Sequence, residues 1–224
     1  MSAHRFVITL LLSAFLATGY AFSQAAPAPP QQSESRPTSK PYTGDLSVFE
    51  YPDRDKKLQI DRVMDLLGIK AGKNVADIGA GSGWFTVRAS KRVGPTGAVI
   101  AEDINPAVIE YIGKRLTKEN IANVRTVLGQ PDDPMLPAGS VDAVLLLKVY
   151  HEVVHPVEFM KKLKPALREG AMVGIIDKNG GVTSHGVNHD IVEKEMGAAG
   201  YRLSATYDFT KADGEDYFMI FVAK

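Results

Sequence analysis

The sequence predicts an α/β domain on a mostly parallel sheet covered by helices on both faces. Two observations carry that expectation. From residue 53 onward short, nearly continuous apolar runs alternate with stretches whose apolar residues recur at helical spacing, and glycines or prolines punctuate the junctions.

Taken in order, Leu58, Ile60, Val63, Met64, Leu66 and Leu67 suggest a helix stopped by Gly68. A strand at 74–78 runs into a glycine-rich turn, and a helix follows through Trp84, Phe85, Val87 and Ala89. Gly94-Pro95-Thr96-Gly97 closes that unit. A strand at 98–101 is followed by Pro106 in the first turn of a helix through Val108, Ile109, Ile112 and Leu116. Strands are expected at 124–128 and 141–147, a helix at 156–167, a strand at 172–176 and a helix at 191–199 ended by Gly200. The last two strands, 201–209 and 217–222, lack a helix between them and should pair as an antiparallel hairpin through 211–216.

Composition bounds the rest. A chain of 224 residues, 45% hydrophobic and 23% charged, buries one sizeable core, is short for two full domains and is not globally disordered. Lys+Arg 26 against Asp+Glu 26 gives a formal net charge of +0, which provides no bulk attraction for nucleic acid. With Cys 0, disulfides, thiolate metal sites and cysteine nucleophiles are excluded.

The amino terminus reads as an address. His4 and Arg5 precede an apolar run at 6–22 interrupted by Thr9, Ser13, Thr18 and Gly19, with small residues at Ser23 and Ala25. That is the layout of a signal peptide at 1–25 cut after Ala25, with an uncleaved membrane anchor as the alternative. In either case the charges precede the run, so the remainder should cross the membrane and the protein is expected to be exported, into the periplasm. Residues 26–45 are Pro/Ser/Gln-rich at their centre and read as a disordered tether; residues 46–224 form the folded domain.

Ligands of open parallel sheets sit at the carboxyl ends of the strands, so the first strand-to-helix turn is the place to look for chemistry. It reads Asp77-Ile78-Gly79-Ala80-Gly81-Ser82-Gly83-Trp84. A dinucleotide fingerprint would need glycine where Trp84 stands. The spacing Asp-x-Gly-x-Gly-x-Gly instead resembles the first motif of class I S-adenosylmethionine-dependent methyltransferases. A tight turn packing a helix on a sheet is the plainer structural reading of the glycines alone. The resemblance extends over about residues 49–224 and implies a Rossmann-like, doubly wound, three-layer fold with seven strands, the last antiparallel.

The same resemblance implies a cofactor, S-adenosylmethionine, held by Asp77, Gly79, Ala80, Gly81 and Gly83. Asp103, at the end of the second strand and followed by Ile104, would accept hydrogen bonds from the ribose hydroxyls; its plainer role is a carboxylate at a helix start. Asp132 or Asp133, after the third strand, would take the adenine amino group, or simply form a turn. Arg54 would meet the cofactor's carboxylate, although a solvated helix-start arginine is the simpler account. Trp84 and Phe85 read as core, with a pocket wall as the alternative.

Tyr150-His151-Glu152 and His155-Pro156 resemble the segment after the fourth strand, where the methyl acceptor docks. His151 is the candidate general base. Lys148 departs from the Asp, Asn or Glu common among relatives and would steer an anionic acceptor or snorkel to solvent. Arg168-Glu169-Gly170 replaces the usual Pro-Gly-Gly. The expected activity is methyl transfer to an unidentified acceptor, a small molecule being favoured; the rival is an exported domain that binds the adenosyl group without catalysis.

One motif points elsewhere. His151-Glu152-Val153-Val154-His155 matches H-E-x-x-H, a zinc-protease signature that works only on a helix. Pro156 pushes His155 out of the helical region, and no third ligand is evident beyond Glu169 or His185. His185 and His189 read as loop and helix-start residues, and no metal is expected.

Overall fold

A computed structural model describes residues 35–224. The expected signal peptide at 1–25 lies outside the described residues, as does the first part of the expected tether. Within one compact unit, seven strands form a single sheet: β1 (Asn74–Ile78), β2 (Ala98–Asp103), β3 (Val124–Leu128), β4 (Val141–Leu147), β5 (Leu167–Asp177), β6 (Tyr201–Tyr207) and β7 (Tyr217–Ala223). Their order across the sheet is β3-β2-β1-β4-β5-β7-β6. The first five are parallel, and β7 runs antiparallel to both of its neighbours. The order reverses beside β1, with β2 on one side and β4 on the other, which is where such sheets open a crevice.

Helices α1 (Arg54–Leu58), α2 (Ile60–Leu66), α3 (Trp84–Val93), α4 (Pro106–Lys118), α5 (Pro156–Leu163) and α6 (His189–Ala198) cover the sheet. Successive strand residues point to opposite faces, so each central strand feeds two cores. Val75, Val99, Leu145 and Phe218 pack with Ile60 and Val63 of α2 and Phe85 and Ala89 of α3. Ala76, Val144, Val173 and Met219 pack with Phe159 and Leu163 of α5 and Val192 and Met196 of α6. Helix α4 lays Val108 and Ile112 over Ala101. Both faces of the central strands are therefore dry, which explains why these strands read as continuous apolar runs.

Two elements differ from their sequence reading. The single helix expected near 58–67 is two short helices, because Gln59 adopts a left-handed conformation (φ 52, ψ 48). Leu58 and Ile60 are both buried, and two residues two apart lie on opposite sides of a continuous helix; the break at Gln59 turns both inward. The helix expected at 156–167 ends at Leu163, where Pro165 has no N–H to continue the ladder, and β5 starts at Leu167 rather than 172, pairing with Val141.

Helix starts follow their sequence signals elsewhere. Asn105 caps α4 by accepting from the Ala107 N–H at 3.0 Å, with Pro106 as the first helical residue. Among the described residues no helix is long and apolar enough to cross a membrane.

Residues 35–45 carry no helix or strand but run along the domain. The Arg36 guanidinium donates to the carbonyls of Tyr150 (2.5 Å) and His151 (3.3 Å) and pairs with Glu195 at 3.1 Å. Ser39 is buried.

Candidate functional site

Where β1 and β2 end side by side, the chain opens a cavity of about 360 Å3. Its floor is the turn after β1. Gly79, Gly81 and Gly83 all have positive φ (65°, 53° and 74°), which glycine adopts without the steric penalty of a Cβ. At Gly79 a Cβ would stand 2.4 Å from Val149 Cγ2, so glycine is also required by close approach to the segment after β4. Gly81 lies open apart from Phe49 at 3.9 Å.

This turn is stitched to the end of β2. The Ala80 N–H donates to the Glu102 carbonyl at 2.9 Å, and the Gly81 N–H donates to Asp103 Oδ2 at 3.2 Å. Asp103 Oδ1 accepts from the Asn105 N–H at 2.9 Å, fixing the carboxylate at the mouth of the cavity. Asp77, Gly79, Ala80, Gly81, Asp103 and Ile104 all line the hollow. Gly83 does not; it is the left-handed cap of α3.

Three carboxyls crowd this corner. Burial pushes Asp77 up to about 6, against the hydrogen bond from Thr86 Oγ1 at 2.5 Å, and the nearby Asp103 adds to the rise. Burial pushes Glu102 up to about 8, opposed by a hydrogen bond from the Gly79 N–H at 3.3 Å and reinforced by Asp103 and Asp77. Asp103 is raised by burial as well. A corner of desolvated carboxyls favours a ligand that brings positive charge.

Opposite them lies Arg54, and here the reading as a solvated arginine is corrected. Arg54 is 5% exposed, its guanidinium sits 4.1 Å from the centre of the Trp84 ring, and it donates to the Phe49 carbonyl at 2.6 Å. Arg54, Trp84 and Phe85 all line the cavity, the two aromatics serving as core and wall together. Aromatic stacking lets a cation be buried at modest cost, which sequence spacing does not reveal.

Asp132 and Asp133 do not line the cavity, although Pro131 beside them does. Lys162 pairs with Asp132 at 3.3 Å and Asp133 at 3.9 Å, and Asp133 Oδ1 accepts from the Met135 N–H at 2.8 Å. Both aspartates thus act in a turn tied to α5.

Lys148 reaches the cavity wall with its charge paired inside the protein. Its ammonium pairs with Glu215 at 2.7 Å and Asp213 at 3.3 Å and donates to the Asp213 carbonyl at 3.2 Å. Tyr51 donates to Asp213 at 2.5 Å. Burial opposes the lysine's charge while Glu215 and Asp213 more than offset this, so its pKa is raised.

His151 is 6% exposed and does not line the cavity; its neighbour Glu152 does. The His151 ring is held from behind by Asp177, at the end of β5, whose two oxygens both stand 2.9 Å from Nδ1. Asp177 also accepts from the His151 N–H at 3.1 Å. The segment 150–152 is one turn of 3-10 helix and His155 is the residue before α5, so the H-E-x-x-H motif has no helical frame. His185 sits in the loop between β5 and α6 and His189 opens α6, as their sequence reading has it; the fold also brings His185 to His151 and Glu152, with one ligand atom from each of the three within 4.8 Å of the other two.

The roof was not foreseen. Thr38, Pro41 and Tyr42, from the stretch expected to be a tether, line the cavity with Leu46 and Phe49. Tyr42 meets Phe49 edge to face at 5.2 Å.

Comparison with known proteins agrees with this geometry. Residues 75–170 match the family described as a methyltransferase domain. The ubiquinone/menaquinone biosynthesis C-methyltransferase of Pseudomonas putida is 28% identical over 115 residues, 51% of this chain and 45% of that protein. Its counterpart in Ectopseudomonas oleovorans is 30% identical over 108 residues, 48% of this chain and 64% of that protein. The chain therefore spans about half the length of the first of these relatives. A SAM-dependent methyltransferase structure from Aquifex aeolicus superimposes with a TM-score of 0.72 at 24% identity, over 81% of this chain and all (100%) of that one. Fibrillarin from Aeropyrum pernix, solved with natively bound S-adenosyl-L-methionine, gives 0.57 at 15% identity over 75% of this chain and 73% of that one.

Proposed function

We propose that this chain is an S-adenosylmethionine-dependent methyltransferase of the class I fold that acts outside the cytoplasm on a small-molecule acceptor. The observation that carries the reading is the cradle made by Gly79, Ala80 and Gly81 against Asp103, closed by the 3.2 Å hydrogen bond between Gly81 and Asp103, beside a cavity of about 360 Å3. That volume lies in the range of small-ligand sites, and the methyltransferase-domain match covers this turn.

The residues present fit an adenosyl sulfonium ligand. Asp103 has two carboxylate oxygens, each with a lone pair beyond the backbone bond it already accepts, for a pair of ribose hydroxyls. Arg54, buried on Trp84, offers a guanidinium for a carboxylate, and the raised carboxyls Asp77 and Asp103 favour the ligand's positive charges. When bound, the sulfonium supplies a methyl group already activated as an electrophile. The chain's own task is then to align the acceptor and exclude water, which positioning can largely accomplish. Tyr42, Phe49 and Val153 bring apolar surface to the cavity, suited to excluding water.

Two lines support the acceptor and the compartment. The relatives named for quinone biosynthesis favour a small molecule over a macromolecule. The signal-like layout of 1–25 supports export. The test is thermal stabilisation of the purified full chain by S-adenosylmethionine and S-adenosylhomocysteine, followed by transfer of a labelled methyl group to small-molecule extract fractions. No shift at millimolar ligand rejects the reading; a shift with no transfer to any fraction assigns the cavity to ligand sensing. Amino-terminal sequencing of the cell-envelope form reports whether the chain is cut after Ala25.

A further inference from the structure

We propose that His151, Glu152 and His185 form a binding site for one divalent transition-metal ion of the zinc type at the wall of the cavity, with Asp177 as the residue that positions the His151 ring. The three side chains come from different places: the 3-10 turn after β4 and the loop between β5 and α6. They nevertheless bring one donor atom each to within 4.8 Å of the other two. His151 Nε2 stands 3.9 Å from Glu152 Oε1, and the His151 and His185 rings meet edge to face with centroids 6.1 Å apart. Ligand bonds of about 2.0–2.2 Å place the donors of a tetrahedral ion roughly 3.5 Å apart, so small side-chain rotations close the site.

The second, independent observation lies behind His151. Asp177 is fully buried and spends its carboxylate on this one residue's ring and backbone, and on the Lys178 N–H. A carboxylate only accepts, so Nδ1 is the nitrogen that carries a hydrogen and Nε2, beside Glu152, is the one left to bind a metal. A carboxylate holding the far nitrogen is the arrangement that orients metal-bound histidines and raises their basicity. Two imidazoles and one carboxylate form a borderline donor set, matched to zinc and its first-row neighbours rather than to calcium or magnesium.

Three protein ligands leave a coordination position open. Glu152 lines the cavity, so an ion on its carboxylate would sit beside the ligand space. Resting on the methyl-transfer reading, this fits an acceptor of the hydroxyl class. Its oxygen binds the ion and gives up its proton to solvent water, then forms the O–C bond to the methyl carbon as the C–S bond breaks and its electron pair stays on sulfur.

The test uses the purified full chain, stripped with a chelator and titrated with Zn2+ by calorimetry and with Co2+ by visible absorption. One ion per chain is expected, with affinity lowered about tenfold or more in His185→Ala and Glu152→Gln and about 10–100-fold in Asp177→Asn. His185 is exposed, so its variant keeps the fold, which circular dichroism verifies. Fewer than one ion per chain, or an unchanged dissociation constant in His185→Ala, overturns the site. Thermal shift by S-adenosylhomocysteine on the stripped chain reads the cradle separately. A shift retained without zinc binding removes the metal alone, whereas zinc binding with no shift leaves the metal site and removes its part in methyl transfer.

Discussion

Gly81 donates its backbone N–H to Asp103 at 3.2 Å, joining the first glycine turn to the end of the second strand. The carboxylate is thereby fixed by backbone atoms rather than by a mobile cation. Replacing Asp103 by Asn keeps one acceptor oxygen and removes the charge. We expect S-adenosylhomocysteine to bind about 10–100-fold more weakly, equivalent to roughly 1.4–2.8 kcal/mol, and the thermal midpoint of the free chain to fall modestly, since the amide NH2 replaces one oxygen that accepted a backbone N–H. Calorimetric titration checks it; equal affinity would show that Asp103 does not touch the ligand.

The glycine turn separates conformational strain from collision. Gly81→Ala adds a Cβ in left-handed backbone with its nearest neighbour at 3.9 Å and should cost about 1–2 kcal/mol. Gly79→Ala bears the same strain and also drives a Cβ to 2.4 Å from Val149. It should lose about 1–3 kcal/mol more. Urea unfolding of the pair gives the difference directly, and equal losses would mean that Val149 moves aside freely.

Glu102 should make the domain less stable as pH rises. Its ordinary value of 4.5 is pushed up to about 8 in the folded chain. Below about 4.5 both states hold the proton and the stabilising contribution is complete. Between about 4.5 and 8 the unfolded chain ionises first, so stability falls with pH, and above about 8 the contribution is gone. The full effect is on the order of 5 kcal/mol at most. Asp77, raised to about 6, adds a loss of the same sign at lower pH. Glu102→Gln cannot ionise, and its unfolding free energy should decline less from pH 6.5 to 8.5 than the parent's; parallel curves would refute the assignment.

Lys148→Met should unfold the domain more easily by about 3 kcal/mol, because it strands Asp213 and Glu215, both buried, without their cation. Arg54, with its Nε 4.0 Å from Asp213, compensates only in part. A chemical-denaturation midpoint equal to the parent's would show that solvent reaches those carboxylates.

The sheet and the first turn are legible because they rest on local patterns. A strand buried on both faces has to be apolar along its length, and positive φ at 79, 81 and 83 calls for glycine whatever the distant surroundings. Asp103 is legible for the same reason: its distance from the turn is set by one helix and one strand. The group around His151 is not. Asp177 is merely the last residue of β5, and His185 sits in a loop with no periodic signal; only the folded register brings them together. Arg54 was misread because an arginine's burial depends on a partner, Trp84, thirty residues away in sequence. The polar composition of 35–45 likewise conceals the contacts that lay that stretch along the domain, Arg36 on two carbonyls and Glu195 and Tyr42 on Phe49.

Strand β7 lies between β5 and β6, an interior plank of the sheet rather than an edge. Phe218 and Ile220 belong to one of the two main cores and Phe221 to the other. Neither core is complete until β7 is seated between its two neighbours. Removing β7 would unpair both flanking strands instead of trimming an edge.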